Sequence, residues 1–165
     1  MKVLGIDPGS VATGYGIVSE VKGNLTLIAQ GSIRAGRVKD DFPARLQLIF
    51  EGLQEVIATH KPEAAAIETP FAGRNVRSLV QLAQARGVAV LAARLAGLEI
   101  FEYAPSAVKN AIVGYGRAEK PQVARMVKML LPGMRDVALG PDAADALAVA
   151  ICHVHVSKFT RRIRG

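Results

Sequence analysis

The chain has 165 residues, 50% of them hydrophobic and 21% charged, which suits one domain with a real core and excludes a disordered polypeptide. A single cysteine, Cys152, excludes an intramolecular disulfide framework and a cysteine-cluster zinc site. Lysine and arginine number 21 against 14 acids, giving a formal charge of +7 and a pI near 9.9, a surplus that attracts polyanions such as nucleic acid.

With 5% aromatics and no tryptophan, binding mainly by stacking bases on rings is disfavoured. The longest stretch without a charge is about 12 residues, short of the ~20 that span a bilayer. Asp7 interrupts the opening apolar run too soon for a signal peptide. These features predict a soluble, cytoplasmic protein with no membrane partner.

In chain order, residues 2–7 read as a short apolar strand ending in an acid. Two further strands, 13–21 and 24–34, flank Lys22-Gly23, a hairpin signal. Pro43 opens a helix to about residue 60, with Leu46, Ile49, Phe50, Leu53, Val56 and Ile57 at helical spacing, and Pro62 stops it. Residues 64–68 form a strand that again ends in an acid. A long helix spans 75–96, with Gly87 a weak point and Gly97 a cap. Residues 98–103 form another strand, 106–113 and 120–131 two helices, and Gly140-Pro141 opens a last helix to about residue 156. A frayed basic tail, 158–165, follows a domain of residues 1–157. Hairpin strands followed by alternating helices and strands predict an α/β fold around a mixed sheet.

Four carboxylates sit where an apolar element should not carry them. Asp7 and Glu68 close strands; Asp142 and Asp145 lie at i, i+3 on the first turns of the last helix, sharing a face. An acid ending an apolar strand costs desolvation, and gathered acids raise one another's pKa unless a cation sits among them. A hard divalent ion such as Mg²⁺, which prefers oxygen ligands, relieves both. Each acid also has a plainer use: Asp7 before Pro8-Gly9 suits a turn, and Asp142 suits a helix N-terminus. Asp145 precedes Ala-Leu-Ala-Val-Ala-Ile and Glu68 ends an alanine-rich strand, so neither is easily a structural acid. Spacing alone does not show that the four converge.

Asp7-Pro8-Gly9-Ser10, continuing through Thr13-Gly14-Tyr15-Gly16, resembles the opening motif of the RuvC Holliday junction resolvases. Ala66-Ile67-Glu68 with Phe71, Gln84-Ala85-Arg86-Gly87, Phe101 to Lys109, Ala118 to Val123, and Asp142 to Ala148 resemble their later blocks in uninterrupted order. The resemblance implies a ribonuclease H-like fold with a mixed five-stranded sheet flanked by helices. It implies a homodimer that resolves four-way DNA junctions by paired nicks, alongside the branch-migration proteins RuvA and RuvB. It places the catalytic, metal-holding acids at Asp7, Glu68, Asp142 and Asp145. The chemistry that fits is in-line hydrolysis of a phosphodiester with two Mg²⁺ per subunit, Mn²⁺ substituting.

By the same resemblance, Lys109 and Lys120 serve catalysis or phosphate binding, Phe71 meets unstacked bases, and Arg74 and Arg77 contact the DNA backbone. A solvated helix charge accounts equally well for Lys120, whereas Lys109 sits in an otherwise apolar stretch that favours a functional role. The plainer alternatives are a solvated helix start for Arg74 and Arg77 and a core anchor for Phe71, which Pro70 already places in a turn. The helix over 75–96, rich in small residues, would lie at the dimer interface, although a core helix has the same composition. His153 and His155, near the end of the last helix, could tune the site, although histidines there are usually structural; His60 reads the same way, and Cys152 as a small buried hydrophobe. Rival readings are a related nuclease acting on RNA, a non-catalytic junction-binding module, and an ATPase with a similar phosphate loop, the last lacking room for a second lobe.

Overall fold

Three strands open the chain: β1 (Lys2–Asp7), β2 (Thr13–Val21) and β3 (Asn24–Ile33). Lys22 and Gly23 take φ of 50° and 94°, the left-handed pair that a tight hairpin needs. In this computed structural model, residues 1–38, 41–69, 75–134 and 136–164 are described, the last four by backbone alone. The remaining elements are a 3₁₀ turn (Ala35–Arg37), α1 (Phe42–His60), β4 (Ala64–Glu68), α2 (Val76–Leu95), β5 (Glu99–Tyr103), α3 (Pro105–Val113), α4 (Lys120–Leu130) and α5 (Pro141–Arg164).

Local chemistry sets the helix ends. Asp41 Oδ1 accepts the Ala44 N–H at 2.9 Å and Asn75 Oδ1 accepts the Ser78 N–H at 3.1 Å, satisfying amides that a helix start leaves free. Gly97, at φ 78°, ends α2, and the Leu98 N–H turns back to the Ala93 carbonyl. Gly87 does not interrupt α2.

The sheet order is β3-β2-β1-β4-β5, with β1, β2 and β3 antiparallel and β1, β4 and β5 parallel. Alternation along the strands divides the core in two. Leu4, Ile6, Ile17, Ala65 and Ile67 face α1 and α2; Val3, Val18 and Ala66 face α3, α4 and α5. Four alanines of α2 (Ala85, Ala89, Ala92, Ala93) are buried in this core and pack within the chain. Its exposed side carries Val76, Val80, Leu91 and Leu95.

The last helix departs from expectation. It runs on to Arg164 without a break where a frayed tail was predicted from residue 158. Lys158 reaches back to Glu20 at 3.2 Å, and lysine and arginine suit the negative end of a helix dipole.

The sheet face under α5 lacks side chains at three positions. Gly5 on β1 and Gly14 and Gly16 on β2 have no side chains to separate strand from helix, and α5 answers with Ala146 and Ala150. A methyl on Gly5 would overlap the Ala146 carbonyl oxygen and stand 2.8 Å from the Ala150 nitrogen. Gly5→Ala is therefore expected to lower stability by about 1–3 kcal/mol, as overpacking does. Thermal denaturation followed by circular dichroism checks this; an unchanged Tm contradicts the close approach.

Candidate active site

Asp7 and Glu68 end two adjacent parallel strands. The register pairs Ile6 with Ile67, so the two acids follow side by side. They point to the α5 face, two residues on from Gly5 and Ala66. The chain leaves β1 in one direction and enters β4 and β5 in the other, a switch point of the kind where open sheets bind ligands beyond their carboxyl ends. Asp145 arrives from α5, one residue before the alanine seated on Gly5.

Short anchors hold these positions. The buried Thr13 hydroxyl donates to the Gly9 carbonyl at 2.9 Å and accepts the Gly9 N–H at 3.3 Å, fixing the turn after Asp7. The Thr69 N–H donates to the Tyr103 carbonyl at 2.8 Å, continuing the β4–β5 pairing past Glu68. At the start of α4, Gln122 Oε1 accepts from the Glu119 N–H and the Tyr115 hydroxyl, and Lys120 follows as the first helical residue.

Asp7, Glu68 and Asp145 line one cleft of about 260 Å³ together with Lys109, Lys120 and Arg86. Lys120 Nζ donates to Asp145 Oδ2 at 2.5 Å. Arg86, which the sequence reading passed over as a site residue, pairs with Glu102 at 2.6 Å. Its Nε is buried with no hydrogen-bond partner among the described residues.

Asp142 lies apart from this cleft. Its Oδ2 accepts the Ser32 hydroxyl at 3.3 Å, and it lines a neighbouring groove with Gln30 and Leu139. Its charge still reaches Asp7, as the smallest of the influences there. The expected four-acid cluster is thus three acids and a near neighbour. Arg77 is exposed at the start of α2 and does not line the cleft. Phe71 and Arg74 lie outside the described residues.

The cleft is electrostatically expensive. Burial first, then Asp145 and Glu68, push the Asp7 carboxyl from 3.8 up to about 7. Burial and then Asp145 raise Glu68, with Lys120 and Lys109 opposing. The Asp145 hydrogen bond holds Lys120 above its ordinary value. These hard oxygen donors suit a divalent cation in kind, and such a cation would offset the repulsion. Among the described residues, no three carboxylate, histidine or thiol groups are gathered closely enough to cage an ion as they stand; the Lys120 ammonium takes up Asp145 instead.

None of the three histidines lines the acidic cleft. His153 Nδ1 lies 2.7 Å from the Tyr103 hydroxyl and its ring packs on Phe101 at 4.1 Å. His155 Nδ1 lies 3.2 Å from the Ala111 carbonyl. The His60 carbonyl accepts from Lys2 Nζ. Cys152 is buried, and burial pushes its thiol up to about 12.

A mixed five-stranded sheet in this order, with acids ending its two central strands and another on the crossing helix, is the arrangement of a ribonuclease H-like protein. The family model described as "Crossover junction endodeoxyribonuclease RuvC" matches residues 3–153. A crossover junction endodeoxyribonuclease RuvC of Trichlorobacter lovleyi is 52% identical over 155 residues, covering 94% of this chain and 85% of that one. The RuvC structure of Thermus thermophilus superimposes with a TM-score of 0.87 at 32% identity, covering 97% of both chains. The T. thermophilus RuvC solved in complex with a Holliday junction substrate gives 0.89 at 33% identity, over 97% of this chain and 96% of that one. The chain belongs to the crossover junction endodeoxyribonuclease RuvC family.

Because Asp7 is raised in the folded chain from 3.8 to about 7, the folded state binds the proton that the unfolded state has lost. Ionising Asp7 therefore opposes folding, and the metal-free protein loses stability as pH rises from about 4 to about 7. Denaturant titrations across that window should show this slope in the wild type and a smaller one in Asp7→Asn. Equal slopes contradict the buried, acid-crowded placement of Asp7.

Proposed function

We propose that this chain is a divalent-metal-dependent endonuclease that resolves four-way DNA junctions by hydrolysing a phosphodiester in each of two strands. The observation that carries the reading is the convergence of Asp7, Glu68 and Asp145 in one cleft at the sheet's carboxyl edge, in a chain of this family. The T. thermophilus relative was solved with a Holliday junction substrate, which supports the choice of DNA over RNA.

Asp7, Glu68 and Asp145 would hold Mg²⁺, with Asp142 completing the set by turning from Ser32; two ions per subunit, replaceable by Mn²⁺, suit in-line displacement. When bound, the metal supplies a water nucleophile at neutral pH and offsets charge on the phosphate. The chain's own groups orient and neutralise. Lys109 and Lys120, on the cleft wall, bind the scissile phosphate and its neighbour. The acids fix the direction of attack, and the 3′ oxygen leaves, giving a 5′ phosphate and a 3′ hydroxyl. Phe71 meets unstacked bases, while Arg74 and Arg77 contact the DNA backbone.

Paired nicks require two such clefts, which a homodimer supplies. The exposed Val76, Val80, Leu91 and Leu95 of α2 form an apolar stripe suited to a second copy, with Gly87 open to solvent among them. RuvA and RuvB are the branch-migration partners this role calls for. The described residues contain no helix long and apolar enough to cross a membrane.

Glu68→Gln keeps the size of the side chain and removes its charge. It should lower the nicking rate by about 100-fold or more, since it weakens the hold on the cation that would stabilise transition-state charge. Junction affinity, read by gel shift, should hold or improve. Wild-type cutting by this variant in Mg²⁺ contradicts the reading.

A further inference from the structure

Two lysines line the acidic cleft, and they are not equivalent. Lys120 Nζ is bonded to Asp145 Oδ2. Lys109 acts on Glu68 through its charge alone and makes no hydrogen bond to an acid among the described residues. The Lys120–Asp145 pair is lopsided. The acid's side chain is 19% exposed and the lysine's 75%. Asp145 is fixed by a helix seated on glycine, whereas Lys120 is a long chain lying mostly in water.

The position of Lys120 makes its contact with Asp145 informative. It is the first residue of α4, where the helix dipole disfavours a cation. A solvated lysine there gains little from a surface ion pair. Asp145, mostly buried beside Asp7 and Glu68, would by contrast be left uncompensated without it. The benefit falls on the acids, and the lysine is the part free to leave.

We propose that Lys120 is a stand-in counterion: its ammonium holds Asp145 until a divalent cation displaces it, and the freed ammonium then meets a DNA phosphate. This rests on the reading of the cleft as a metal site. Metal and lysine compete for one carboxylate, so the protein alone loads metal weakly. A phosphate that draws Lys120 away raises metal affinity, and bound metal raises DNA affinity by the same factor, since coupling between two ligands is reciprocal. The protein thereby avoids carrying a fully armed cleft when no DNA is present.

The test is Mn²⁺ binding, measured from the free-ion signal in electron paramagnetic resonance, with no DNA present. Wild type is compared with Lys120→Met, Lys120→Ala, Lys109→Met and Asp7→Asn, each checked for folding by circular dichroism. Both Lys120 variants should bind Mn²⁺ about fivefold tighter or more, a typical size for coupled sites. Lys109→Met, which removes the same charge from the same cleft, should change affinity less than Lys120→Met does. Asp7→Asn should weaken binding. If the Lys120 variants bind no more tightly than Lys109→Met while Asp7→Asn still weakens binding, the counterion role fails and the metal site stands. If Asp7→Asn binds like wild type, both fail.

Discussion

The arrangement depends on how closely α5 lies on the sheet. Side chains normally hold a helix away from the strands beneath it. Here Gly5, Gly14 and Gly16 remove them from the sheet side; Ala146 and Ala150 lie over Gly5, the Asp142 backbone over Gly14, and Leu147 fills the space over Gly16. The helix backbone settles onto the strands, and the first turns of α5 descend to the level where β1 and β4 end. Asp145 therefore enters the same cleft as Asp7 and Glu68. The same contact carries the backbone of Asp142 onto Gly14, the residue paired with Asp7 across the ladder. Residues from opposite ends of the chain are joined by an absence of side chains.

That geometry sets function against stability. Three acids in a cleft repel, and burial of Asp7 adds to the cost. A protein selected for stability alone would place an amide or an apolar residue at each position. The acids persist at the carboxyl edge of the sheet, where two strand ends and the first turns of α5 fix their directions. Such opposition between stability and a charged site is common where activity requires it. The Lys120–Asp145 bond moderates the cost in the metal-free chain without closing the cleft.

Much of this was legible in the sequence, for definable reasons. Strand ends at Asp7 and Glu68 were marked by apolar runs meeting an acid, and the hairpin by Lys22-Gly23. Asn75, Gly97 and Pro62 marked helix limits because capping and proline chemistry are local. The resemblance in the motif blocks led to the right family. What the sequence hid is tertiary. The composition of α2 suits a core helix and a surface for another copy alike; Ala85, Ala89, Ala92 and Ala93 pack against the chain's own core, a choice only the tertiary structure makes. The basic residues after Ser157 read as a fraying tail, yet the helix continues, with Lys158 tied to Glu20. Helical spacing put Asp142 and Asp145 on one face, but Ser32 draws the Asp142 carboxylate toward β3. The Lys120–Asp145 bond joins positions 25 apart, and nothing local announces it.

The central claim is that Asp7, Glu68 and Asp145 together hold divalent metal. Anomalous diffraction from crystals soaked in Mn²⁺ tests it most directly, because the signal locates the ion without reference to activity. The account predicts a strong peak between the carboxylates of Asp7 and Glu68, with Asp145 turned toward the metal and Lys120 moved off it. Peaks confined to other parts of the surface, with Lys120 still bonded to Asp145, would contradict it.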